Sequence, residues 1–169
     1  MKEANDPVRG RDLRPIGAAE YQLRLLVESM VEAGREEDEI VSAVRAADDR
    51  PRVLIAEDET LVRMDIGTVL QAAGFNVCAE AADGREAVAL ARELEPDAIV
   101  MDADMPRLDG VAAAEAILAT RRVPIVMLTG YHYGELIDRA FAAGISHYLV
   151  KPFAEGEIVA ALRAAVGAT

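Results

Sequence analysis

The chain has 169 residues, 52% of them hydrophobic but only 4% aromatic, and a net charge of −12. That suits one ordinary domain plus a small appendage, with a core of Ala, Val, Leu and Ile. The acidity runs throughout, with 12 acids against 8 bases over residues 1–50 and 18 against 10 over 51–169, and it excludes nucleic acid and anionic membranes as expected partners, since those need cations to neutralise phosphates.

Residues 1–17 carry Pro7, Gly10 and Pro15 without apolar periodicity and are expected to be a flexible tail. The start, Met-Lys-Glu-Ala-Asn-Asp, has no apolar core, and no segment approaches the ~18 apolar residues of a membrane span, so a cytoplasmic protein is expected. From Ala18 to Ala33 a helical stripe appears at Leu23, Leu26, Val27, Met30 and Val31, stopped by Gly34. A second short helix opens with Glu36, Glu37 and Asp38, where the helix dipole favours negative charge, and presents Ile40, Val41, Val44 and Ala47. The two predict a helical hairpin, which with the linker Asp48-Asp49-Arg50 makes residues 18–50 an extension. Two such helices cannot bury a sufficient core alone, so their stripes need a partner surface.

From residue 51 to 169 the pattern alternates. Short apolar runs near 52–56, 75–79, 97–101, 124–128 and 147–150 predict strands. Amphipathic stretches near 60–73, 84–94, 109–119, 134–143 and 154–166 predict helices, with Gly74 and Gly144 ending the first and fourth. Five such alternations argue for an α/β fold, a flavodoxin-like five-stranded parallel sheet of order 2-1-3-4-5 with helices on both faces. The single cysteine, Cys78, excludes an intramolecular disulfide and reads as a buried, inert thiol.

In such a sheet the strand C-termini share one edge, where ligands bind. Here those ends carry Glu57-Asp58, Asp102, Thr129 and Lys151. Three carboxylates at one edge repel each other unless a cation compensates. Oxygen-only ligation at an open edge suits Mg²⁺. A carboxylate beside Mg²⁺ and a lysine is poised to attack a phosphoryl group, giving an aspartyl phosphate whose peripheral oxygens the metal, Lys151 and Thr129 would hold. His132 and His147 are isolated and suggest no metal or catalytic role.

These residues stand in a familiar arrangement. Glu57-Asp58, the pattern Asp102-x-x-Met105-Pro106-x-x-x-Gly110, Leu128-Thr129-Gly130 and Lys151-Pro152-Phe153 follow one another at spacings of 44 (102−58), 27 (129−102) and 22 (151−129). Across residues 52–169 the chain resembles the receiver domain of bacterial response regulators. The resemblance implies that Asp102 accepts the phosphoryl group and that Glu57 and Asp58 bind Mg²⁺ with the backbone carbonyl of Asp104. It further implies that Thr129 and Lys151 contact the phosphoryl group, that Tyr148 is the switch aromatic, and that the Lys151-Pro152 peptide is cis. A tyrosine on a strand also reads as simple packing. The wording Leu54-Ile55-Ala56-Glu57-Asp58-Glu59 and Leu128-Thr129-Gly130-Tyr131 is most similar to receivers of RNA-binding antiterminators, whose C-terminal RNA-binding domain is not expected here.

The expected function is a phospho-accepting switch of a two-component system or phosphorelay, not an enzyme, fed by a histidine kinase or histidine phosphotransfer protein. It would signal to a downstream protein target without a C-terminal effector domain. A homodimer through residues 18–47 or the face of strands 4 and 5 is compatible with the pattern. The competing readings are a phosphate sink without output and a haloacid-dehalogenase-like Mg²⁺-dependent phosphatase. The latter places its nucleophile after the first strand, which Glu57-Asp58-Glu59 partly mimics.

Overall fold

A computed structural model describes residues 18–130, 134–145 and 147–167. The expected tail at 1–17 and His132 lie outside the described residues. The chain divides into two compact units between Asp49 and Arg50.

In the first unit, α1 (Ala18–Glu32) and α2 (Glu37–Ala47) form the expected hairpin. Gly34, at φ +67°, donates its N–H to Val31, and Arg35 donates to Met30, a Schellman closure that ends α1. Glu37, Asp38 and Glu39 occupy the first turn of α2 and Arg45 its last, each favoured by the helix dipole. No described residue of either helix is buried.

The second unit is a five-stranded parallel sheet of order β2-β1-β3-β4-β5. The strands are β1 (Arg52–Ala56), β2 (Asn76–Ala81), β3 (Ala98–Asp102), β4 (Ile125–Thr129) and β5 (His147–Val150). They alternate with α3 (Thr60–Ala72), α4 (Gly84–Leu94), α5 (Gly110–Leu118), α6 (Gly134–Ala142) and α7 (Glu155–Gly167). This is the flavodoxin-like arrangement expected from the sequence.

Side chains alternate across a strand, so each strand feeds two cores. Leu54, Ala56, Ile99, Met101, Ile125 and Met127 pack on one face with Ala87 and Ala91 of α4 and Ala113 and Ala114 of α5. Val53, Ile55, Val100, Val126 and Leu128 pack on the other with Ile66 and Leu70 of α3 and Ile158 and Leu162 of α7. Alanine-lined helices approach the sheet closely, which is how a chain with so few aromatics fills its interior. At the end of α3, Gly74 adopts φ +90°, a conformation open to a residue without Cβ. The N–H of Phe75 then reaches Leu70, and both side chains are buried together.

One expectation needs correction. β2 runs to Ala81 rather than stopping at 79, and its register slips so that Val53 faces Val77 while Leu54 faces Ala79. Cys78 is the extra residue of that bulge. Its thiol is therefore half-buried rather than buried, lying 3.6 Å from the Val53 carbonyl.

Candidate functional site

Strands β1, β3, β4 and β5 deliver their C-terminal residues to one edge of the sheet. Glu57 follows β1 immediately; its N–H donates to Ala81 at the end of β2. Asp102 is the last residue of β3 and lies opposite Leu128 in register, one residue before Thr129. Lys151 follows β5, and its N–H donates to the Thr129 carbonyl at 2.7 Å. Lys151 and Pro152 are joined by a cis peptide, as the resemblance implied.

These placements bring the expected side chains together. Glu57, Asp58 and Asp102 offer carboxylate oxygens within 4.8 Å of one another. The Lys151 ammonium donates to Glu57 Oε2 at 2.7 Å and stands 2.9 Å from Asp102 Oδ1. Glu57 is 1% exposed and its second oxygen accepts the Glu59 N–H at 3.2 Å. Asp102 and Thr129 are also buried, while Asp58 is exposed.

The cluster is short of positive charge, since one ammonium faces three carboxylates. Burial pushes the Asp102 carboxyl up to about 6; the Lys151 hydrogen bond works against that rise and the Glu57 charge adds to it. Burial works against the Lys151 ammonium too, but its bonds to Glu57 and Asp102 outweigh it and hold the group above its ordinary value. The donors present are all oxygens around an excess of two negative charges, a set that fits a small hard divalent cation.

The loop after β3 is held at both ends. Gly110 donates its N–H to Ala103 at 2.9 Å, and a Cβ at Gly110 would stand 1.9 Å from the Asp102 carbonyl oxygen. That close approach explains why the pattern that begins at Asp102 closes on glycine. Asp109 caps α5 through the Ala112 N–H. Asp104 is exposed in this loop, and its charge contributes to the rise at Asp102.

Tyr148 does not join the cluster. It sits on β5 at 41% exposure and meets Phe141 of α6 edge-on at 5.8 Å, a contact that suits simple packing as well as a switch.

Two features escape sequence reasoning. Arg107, at φ +66°, pairs with the buried Asp83, which caps α4 and is held below the usual carboxylate range chiefly by the Glu86 N–H. Arg63 of α3 reaches the Glu57 carbonyl and Glu80. A capping aspartate before Gly84 was a readable signal, but neither arginine's partner was.

Comparison with known proteins gives the family of the second unit. Residues 53–163 match the family described as the response regulator receiver domain. The transcriptional regulatory protein PdtaR of Mycobacterium tuberculosis is 48% identical over 115 residues, 68% of this chain and 56% of its own length. The chemotaxis protein CheY of Thermotoga maritima is 35% identical over 66% of this chain and 93% of its own. The chain thus spans about half the length of PdtaR but nearly all of CheY. Among solved structures, the receiver domain of sensor histidine kinase PA1611 from Pseudomonas aeruginosa, with a magnesium ion in its active-site cleft, superposes with TM-score 0.64 at 34% identity, covering 70% of this chain and 98% of that one. The receiver family's fold, its match over residues 53–163 and the acid–lysine edge coincide, and the chain belongs to the response regulator receiver family.

Proposed function

We propose that residues 51–169 are the phospho-accepting receiver of a two-component or phosphorelay system, with Asp102 as acceptor. Residues 18–50 are its helical hairpin extension and linker. The observation that carries the reading is the Lys151 ammonium bridging Glu57 and Asp102 beside Asp58, with Thr129 on the adjoining strand end. Glu57, Asp58 and Asp102, with the Asp104 carbonyl, would hold Mg²⁺; the similar PA1611 receiver carries a magnesium ion in its active-site cleft. The metal supplies charge neutralisation and orientation for phosphoryl transfer.

The protein's own groups do the rest. An Asp102 carboxylate oxygen attacks phosphorus; a P–O bond forms as the P–N bond of a phosphohistidine donor breaks, and the imidazole leaves carrying a proton. The Lys151 ammonium, released from part of its hold on Asp102, turns to a phosphoryl oxygen, and the Thr129 hydroxyl donates to another. The donor is a histidine kinase or a histidine phosphotransfer protein. The new group adds about −1.5 to −2 charge. Thr129 moves toward it and Tyr148 turns inward, reshaping the surface of β4, β5 and α6 where Phe141 and Tyr148 are now exposed. A downstream protein reads that face.

The hairpin contributes self-association. Tyr21, Leu25, Val31 and Val41 are exposed, and two hairpins together complete a four-helix bundle that neither forms alone. The chain acts as a switch rather than an enzyme, in the cytoplasm; among the described residues no helix is long and apolar enough to cross a membrane.

Beryllofluoride, a phosphoryl mimic, tests the site. With Mg²⁺ it should raise the melting temperature of the wild type and leave Asp102→Asn unchanged. Equal stabilisation of both proteins would remove Asp102 from the acceptor role.

A further inference from the structure

We propose that Arg63 is a positioning residue for the acidic pair, gripping the backbone of Glu57 and Asp58 so that their carboxylates stay aimed at the cation site; this rests on the Mg²⁺ reading above. An arginine beside three carboxylates would ordinarily be expected to pair with one of them. Arg63 does something else. From the first turn of α3 its Nη1 donates to the Glu57 carbonyl and lies 3.5 Å from the Asp58 carbonyl. Its Nε donates to Glu80 Oε2 on β2 at 3.2 Å, and Nη2 lies 3.5 Å from Thr60 Oγ1. The guanidinium is a rigid fork, so fixing Nε on Glu80 fixes the direction of Nη1. The side chain is only 14% exposed, which places this grip where water competes poorly.

The consequence is a division of labour between two cations. Lys151 neutralises carboxylates directly. Arg63 spends its donors on carbonyls and on Glu80, leaving the cluster's remaining negative charge for a bound ion. Glu57 is thereby held at four points: N–H to Ala81, carbonyl from Arg63, Oε1 from Glu59 and Oε2 from Lys151. Asp58, the exposed acid, has its main chain within reach of the same guanidinium.

Charge and positioning predict opposite signs, which makes the idea testable. Removing a positive charge near a cation site strengthens cation binding if charge is all that matters. Removing the grip weakens it. Isothermal titration of Mg²⁺ into the full chain should show about tenfold weaker binding for Arg63→Met, the scale typical of lost outer-shell support. Arg63→Lys keeps the charge but lacks the fork, and should also bind Mg²⁺ severalfold more weakly. Should the methionine variant fail to fold, the lysine variant decides alone. Tighter or unchanged binding by Arg63→Met, or wild-type affinity in Arg63→Lys, overturns the proposal while leaving the Mg²⁺ site standing. Absence of saturable Mg²⁺ binding in the wild type overturns the metal reading and this inference with it.

Discussion

Asp102 is a costly residue to bury, and the proposed phosphoryl acceptance is what would require a carboxylate there. Its carboxyl is pushed up to about 6 inside the fold. A carboxyl whose folded value exceeds its unfolded value is better tolerated protonated, so the native state loses stability as pH rises from about 4 to above 6. Asp102→Asn removes that loss. In EDTA at pH 8 the variant should be about 1–2 kcal/mol more stable than wild type after solvent screening, and the advantage should vanish toward pH 4. Urea melts across this pH range check it. Lys151 works in the other direction. Arg or His could supply charge, but here one ammonium bridges two buried carboxylates. Lys151→Met leaves both without a counter-charge, and should cost about 1–3 kcal/mol in the metal-free protein, read from the same melts.

At the scale of elements, the loop from β3 to α5 is the part with least slack. Gly110→Ala would drive its Cβ into the Asp102 carbonyl, so either α5 or the end of β3 must shift. The expected cost is about 1–3 kcal/mol. Gly130→Ala, at the end of β4, meets nothing within 4 Å and should change stability little. Thermal melts of the two variants make a direct contrast. The strand ends were legible because apolar runs of four or five residues stop at a polar residue, and because parallel order gathers those stops at one edge. Gly34, Gly74 and Gly144 marked helix ends for a local reason, and each has positive φ. What stayed illegible depends on partners distant in sequence. The β2 bulge at Cys78 arises from pairing with Val53. Arg63 meets Glu80 seventeen residues on, and Arg107 meets Asp83 across two loops, with no periodicity to announce either. The contact of Tyr148 with Phe141 likewise joins two elements, and the strand's own alternation does not announce it.

At the scale of the molecule, two units answer different needs. The receiver buries a core on each face of its sheet. The hairpin buries none of its described residues, and the proposed role for its apolar stripes is to meet a second copy. Self-association through the hairpin predicts that light scattering gives the mass of two chains for the wild type and of one for Leu25→Glu combined with Val41→Glu; a monomeric wild type would remove this role. The function proposed for the receiver is to carry phosphate on one carboxylate, and intact-mass spectrometry after incubation with acetyl phosphate measures that directly, with borohydride reduction locating the acyl phosphate by peptide mapping. The proposed function predicts one phosphoryl group per chain, at Asp102, abolished by EDTA and absent in Asp102→Asn. Label on another residue, label that survives in Asp102→Asn, or sustained release of phosphate from simple esters as a phosphatase would give, contradicts it.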